Sequence, residues 1–363
     1  MTRREVLLAA AGGVVAIGAG GAWGWRASVG SQEAYRLYQA ALRAPLPQDP
    51  AAADLIRAAT LAANGHNTQP WRFRVGPGTI DILPDMTRAT PVVDPDDHHL
   101  FVSLGCAAEN LARAGTAAGR PGVLETGADG MIRYTFTVGE PRPDALSAAI
   151  PARQSCRAVY DGRPVAPDAI EALQRAALGD GVRCVILTER SAMARLGDLV
   201  VAGNDAQMGD PAFSSELKHW LRFNPASAMR HGDGLYGAAA GSPVLPDPLG
   251  HLAFDLFVTA AGEADKYAAQ MRSSAGAAIF FGAAADRASW IAVGRACQRF
   301  ALTATALGLK LAFVNQPVEV ARLRPDLAAL AGEPGLRPDA VLRFGYGPAR
   351  PFSPRRPVGA VLA

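Results

Sequence analysis

Cysteine is scarce and scattered: Cys106, Cys156, Cys184 and Cys297 are the only four among 363 residues, and no C-x-x-C pair occurs. Metal-ligand spacing is absent, because His98-His99 has no partner at a helical offset. The thiols read as small buried hydrophobes, with a single disulfide left open. Charge of one sign is also missing. A net charge of +3, with no basic run interleaved with aromatics beyond the first few residues, excludes a nucleic-acid partner. No arrangement of side chains compels a general acid or base.

What is present begins at the N-terminus. Arg3-Arg4 precede an uncharged run of alanine, valine and glycine over residues 6–25 that ends in Trp23 and Trp25. Paired arginines ahead of a weakly apolar stretch predict a twin-arginine export signal; a Sec-type signal or a membrane anchor uses the same composition. The run is just long enough for a bilayer, and it carries no clear A-x-A cleavage site. Residues 1–30 are therefore set apart from the fold, and the protein is expected to be exported, either extracytoplasmic or anchored through this segment. The chain as a whole, with 49% apolar and 19% charged residues, has the composition of a globular protein.

The most informative stretch is Ala62-Ala63-Asn64-Gly65-His66-Asn67-Thr68-Gln69-Pro70-Trp71. It joins a helical run, 54–63, to a short apolar strand, 71–75. Pro70 blocks helix continuation and predicts an extended Gln69. Asn64, Gly65, Asn67 and Gln69 then cluster on an exposed turn whose amides suit a flat heteroaromatic ring with imide edges. The same residues also read as a plain polar turn ahead of a core tryptophan.

The chain repeats itself. A long helix around Leu104-Gly105-Cys106 runs to Gly119, and a second around Val293-Gly294-Arg295 runs to Gly308; the offset is constant, 294 − 105 = 308 − 119 = 189. Helices over 54–63 and 168–178 precede these, and strands over 132–138 and 341–344 follow, which predicts an α+β fold of two tandem halves, 31–150 and 151–363. The halves carry different polar motifs. Arg153-Gln154-Ser155-Cys156-Arg157 opens the second half, which has Gly179-Asp180-Gly181 where the Asn-Thr-Gln-Pro-Trp turn would fall. Two guanidinium forks and a hydroxyl on one extended edge suit a phosphate dianion, or form a solvated basic edge.

Residues 62–71 resemble the A-P-S-x-x-N-x-Q-P-W signature of FMN-dependent nitroreductases, with Ala63 and Asn64 departing from its proline and serine. The tandem arrangement and the N-terminal signal more narrowly resemble the Acg-like group. The resemblance implies a nitroreductase-like dimer fused into one chain, with one FMN site kept. It would place Asn64, Gly65, Asn67 and Gln69 at the ring, and Arg153, Ser155, Arg157, Arg355 and Arg356 at the phosphate. Asn315 and Gln316 would lie near flavin N5. It further implies a lid over 203–242 carrying His219, Trp220 and Tyr236. Two functions are compatible with it: two-electron transfer to or from a small flat aromatic or quinone-like acceptor, and FMN sequestration without turnover. A twin-arginine translocase would be the export partner, because that route carries folded proteins with their cofactor already loaded.

Overall fold

The computed structural model describes residues 19–179 and 181–363; Arg3-Arg4 and most of the uncharged run lie outside them. Among the described residues no helix is long and apolar enough to cross a membrane. A helix, Ala52–Thr60, leads into β1 (Trp71–Gly76) and β2 (Thr79–Pro84), followed by the long helix His98–Ala117, β3 (Gly122–Thr126) and β4 (Ile132–Phe136). These strands form one antiparallel sheet in the order β1-β2-β4-β3. Alternation decides its faces: Trp71 and Phe73 point inward from β1, while Arg72 and Arg74 point outward.

The second half opens with the helix Pro167–Ala177 and β5 (Arg183–Leu187). Where β1 and β2 are joined by Pro77-Gly78, the chain instead runs through a helical insertion before the sheet resumes. The insertion contains helices Arg190–Met208, Pro211–His219, Pro225–His231, Asp247–Phe257 and Ala260–Arg272, with a small parallel pair, β6 (Leu221–Arg222) and β7 (Leu235–Tyr236). It is longer than the lid expected over 203–242, because its outer helices are ordinary amphipathic helices with no compositional mark. Then follow β8 (Gly276–Phe281), the long helix Arg287–Ala306, β9 (Lys310–Phe313) and β10 (Ala340–Gly345). The sheet order is β5-β8-β10-β9, the same pattern as the first, and again antiparallel.

The insertion changes how the second sheet is buried. β8 and β10 are buried at every residue, because Met193, Leu196 and Val200 of the insertion pack on Ile279, Phe281 and Val341. This is why β8 reads as a continuous apolar run and β1 as an alternating one.

The two long helices cross at the centre of the main core. A Cβ on Gly105 would lie 2.0 Å from the Ile291 carbonyl oxygen, and one on Gly294 would lie 2.0 Å from that of Val102. The repeated glycine is therefore a requirement of helix approach. The chain end returns to the first sheet: Phe73 N donates to Val361 O at 2.7 Å, and Ala363 N to Phe73 O at 2.8 Å. Substituting Gly294→Ala is expected to cost about 3 kcal/mol through overpacking against backbone. Gly359→Ala, which points into open space, should stay within about 0.5 kcal/mol. Urea denaturation of both variants tests this.

Candidate functional site

The polar turn is built under backbone tension. His66, Asn67 and Gln69 have φ of 45°, 55° and 54°, a left-handed conformation that asparagine and histidine tolerate better than glutamine does. Gln69 is therefore not extended as Pro70 suggested. Tertiary hydrogen bonds hold it: Gln69 N donates to Asn64 Oδ1 at 2.9 Å, and Gln69 Nε2 donates to Gly232 O at 2.9 Å.

The turn meets the Arg-x-Ser-x-Arg segment across one cavity of about 40 Å³. Asn64, Asn67, Arg153, Ser155, Arg157 and Arg355 line it together with Arg43, Gln154, Leu235 and Phe352. Among the described residues, four arginines and no carboxylate face this space. Burial pushes the Arg153 guanidinium down to about 10. Burial, and then the charge of Arg153, push Arg43 down to about 9. The buried Nε atoms of Arg43 and Arg153 have no hydrogen-bond partner. Arg157 has none for its guanidinium among the described residues, and its charge, after burial, helps to hold the His66 imidazole at about 4. Crowded buried cations with open donors favour an anion of phosphate geometry.

The remaining expected residues are placed differently. Asn67 Nδ2 donates to Gly234 O at 2.9 Å and to Pro354 O at 3.0 Å, and Gln69 Oε1 accepts from Arg356 N at 2.9 Å. These amides hold the helical insertion and the C-terminal segment, and they present no free donor to a ring. Gly65 N donates to Ser103 Oγ at 3.2 Å, and a Cβ on Gly65 would meet nothing. Arg355 is buried with its donors spent on the carbonyls of Thr60, Leu61, Ala62 and Pro354 and on Asn67 Oδ1. It organises the pocket wall and has no donor left for a phosphate. Arg356 lies outside the cavity, near Gln69 O and Asp85.

Asn315 Oδ1 accepts from Val341 N at 2.8 Å, and Gln316 is buried beneath Gly203; neither lines the cavity. Tyr236 packs on Tyr35 with ring centroids 4.6 Å apart. His219 and Trp220 line a separate cavity of about 460 Å³. No cluster of three or more histidine, cysteine or acidic side chains suited to a metal occurs among the described residues.

No protein-family model matches the sequence. Two Mycobacterium tuberculosis proteins, from strains CDC 1551 and H37Rv, are each 30% identical to this chain over 343 residues, spanning 89% of it and 94% of their own length. Both are named "Putative NAD(P)H nitroreductase". The chain belongs to the nitroreductase family. Among solved structures, an FMN-bound nitroreductase from Desulfitobacterium hafniense is 13% identical with a TM-score of 0.39, over 59% of this chain and 94% of that one. The NfnB nitroreductase from Mycobacterium smegmatis, crystallised with NADPH, is 14% identical with a TM-score of 0.34, over 56% of this chain and 87% of that one.

Sequence reasoning missed two groups in this nitroreductase. Arg43 ends the helix Gln32–Leu42, which straps the C-terminal segment: Tyr35 Oη donates to Phe352 O at 2.7 Å, and Gln39 Nε2 to Ser353 O at 3.2 Å. Nothing local distinguishes it from a surface arginine at a helix end. The second is Glu319, partly buried 3.6 Å from His99 Nε2 and accepting from Gln207 Nε2 at 2.6 Å. Burial raises its carboxyl to about 7. A folded-state value above the ordinary one makes this contribution complete below pH ~4.3 and lost as pH rises through ~7. Glu319→Gln keeps the acceptor for Gln207, so it should stabilise the protein more at pH 8 than at pH 5. Denaturant titrations at the two pH values check the sign.

Proposed function

We propose that the protein is an FMN-binding oxidoreductase whose cofactor phosphate sits in the arginine cavity. One observation carries the reading: the strained Asn-Thr-Gln turn and the Arg-x-Ser-x-Arg segment share a space faced, among the described residues, by four guanidiniums and no carboxylate. The donor chemistry fits a phosphate monoester. Arg43, Arg153 and Arg157 would hold it, with Ser155 supplying a hydroxyl, while Arg355 holds the wall. FMN, when bound, would supply two-electron transfer to or from a small flat aromatic or quinone-like acceptor. The relatives' names support NAD(P)H as the donor.

Within this reading the two halves, alike in strand order and joined through reciprocal glycines, are a fused pseudo-dimer of the Acg-like kind. The motifs are divided between the halves, so a single complete site remains. Export through the twin-arginine route, with the cofactor loaded beforehand, belongs to the same proposal and rests on Arg3-Arg4 and the run that follows.

A second reading, FMN sequestration, is favoured by a separate observation. The space is about 40 Å³, whereas pockets for drug-sized ligands run to about 300 Å³ or more. Asn67 and Gln69 are occupied in holding Gly232 and Gly234 over it. A ring system enters only if the lid or the 351–353 segment moves, and a site that closes this way excludes acceptors as well as water.

The unpartnered Arg157 gives a test that leaves the fold alone. Arg157→Met should weaken FMN binding at least about tenfold, with the unfolding midpoint of the ligand-free protein unchanged. Equal affinity in the variant would remove the phosphate assignment. Flavin bleaching by NADPH in the loaded protein supports the reductase. Bleaching by dithionite alone, without turnover of nitro or quinone acceptors, supports sequestration.

A further inference from the structure

The cavity of about 460 Å³ that takes up His219 and Trp220 lies behind the polar turn. Its wall includes Asp233, and the carbonyls of the flanking Gly232 and Gly234 accept from Gln69 and Asn67 of the turn, of which Asn67 lines the smaller cavity. The wall has little freedom: a Cβ on Gly234 would lie 2.4 Å from Trp220 O, and one on Gly232 3.1 Å from Arg355 O.

The floor of this cavity has an uncompensated charge. Asp233 is shared by two guanidiniums, Arg222 at 2.6 Å and Arg88, all three side chains being largely buried. The other charged groups lining it are already matched. Lys218 pairs with Asp255 at 2.7 Å, and Asp247 with Arg230 at 3.2 Å. One positive charge is left over, and the Nε of Arg222 is buried without a hydrogen-bond partner. Beside these groups stand the flat Trp220 and Leu221, with Arg88 lying 5.3 Å from the Trp220 ring centroid. An excess buried cation is stabilised by an anion in contact with it, and an indole wall favours a planar apolar body.

We infer that this cavity is a second ligand site, which takes a monoanionic aromatic acid with its carboxylate at the Arg88–Arg222 pair and its ring along Trp220 and Leu221. The volume suits a ligand of one or two rings. The site stands on its own residues and does not depend on the flavin reading.

The test uses the full-length protein, 2-naphthoate as probe and 2-naphthylmethanol as its uncharged counterpart, with binding followed by calorimetry. Naphthoate is expected to bind at least about tenfold more tightly than the alcohol and to withstand saturating FMN. Arg88→Met should remove that preference. His251→Trp places bulk at the exposed rim without touching the core, and it should weaken both probes. The inference is overturned if naphthoate shows no binding up to about 1 mM, a Kd range in which even weak sites register. It is equally overturned by equal affinity for the two probes, by displacement with FMN, or by a His251→Trp variant that binds naphthoate as the parent does.

Discussion

The architecture around the site depends on one buried guanidinium. Arg355 caps the end of the helix Ala52–Thr60 through the carbonyls of Thr60, Leu61 and Ala62, and it bonds Asn67 in the turn that follows. Its own backbone N–H donates to Tyr38 Oη at 3.1 Å. The helix end, the turn that follows it and the N-terminal helix carrying Tyr38 are thereby tied to one residue. A helix end leaves carbonyls without partners, and a cation at that end meets both the hydrogen-bonding need and the helix dipole. Burial, together with the positive charges of Arg153 and Arg43, holds the Arg355 guanidinium well below its ordinary range. The region is therefore electrostatically poised for an anion.

That arrangement explains why the left-handed turn persists. Asn67 and Gln69, with positive φ, would relax in isolation, but Asn64, Gly232, Gly234 and Arg356 fix their side chains and amides from several sides. The same bonds tie the turn to the insertion, so displacing the Gly232-Asp233-Gly234 segment has to break the bonds from Asn67 and Gln69.

The helical insertion and the N-terminal strap serve a common end. The first sheet leaves one face to solvent, whereas the insertion covers the corresponding face of the second with its own core. The strap Gln32–Leu42 then fastens the C-terminal segment and brings Arg43 to the arginine-lined cavity.

Local chemistry determined much of this protein. Helix and strand periods located the main elements to within a few residues, the constant 189-residue offset picked out the two glycines at the helix crossing, and the two polar motifs marked the segments that meet at the cavity. These were legible because period, glycine and arginine spacing are properties of neighbouring residues. The direction of individual side chains was decided only by tertiary structure. Arg355 and Arg356 sit side by side in sequence, yet one caps a helix and the other reaches Gln69 and Asp85; Tyr236 turned to Tyr35, and Trp220 to Arg88. Arg43 carried no local sign at all. Its role comes from chain segments folding back over hundreds of residues, and the partners that satisfy a buried charge are set by that meeting rather than by the residue's neighbours.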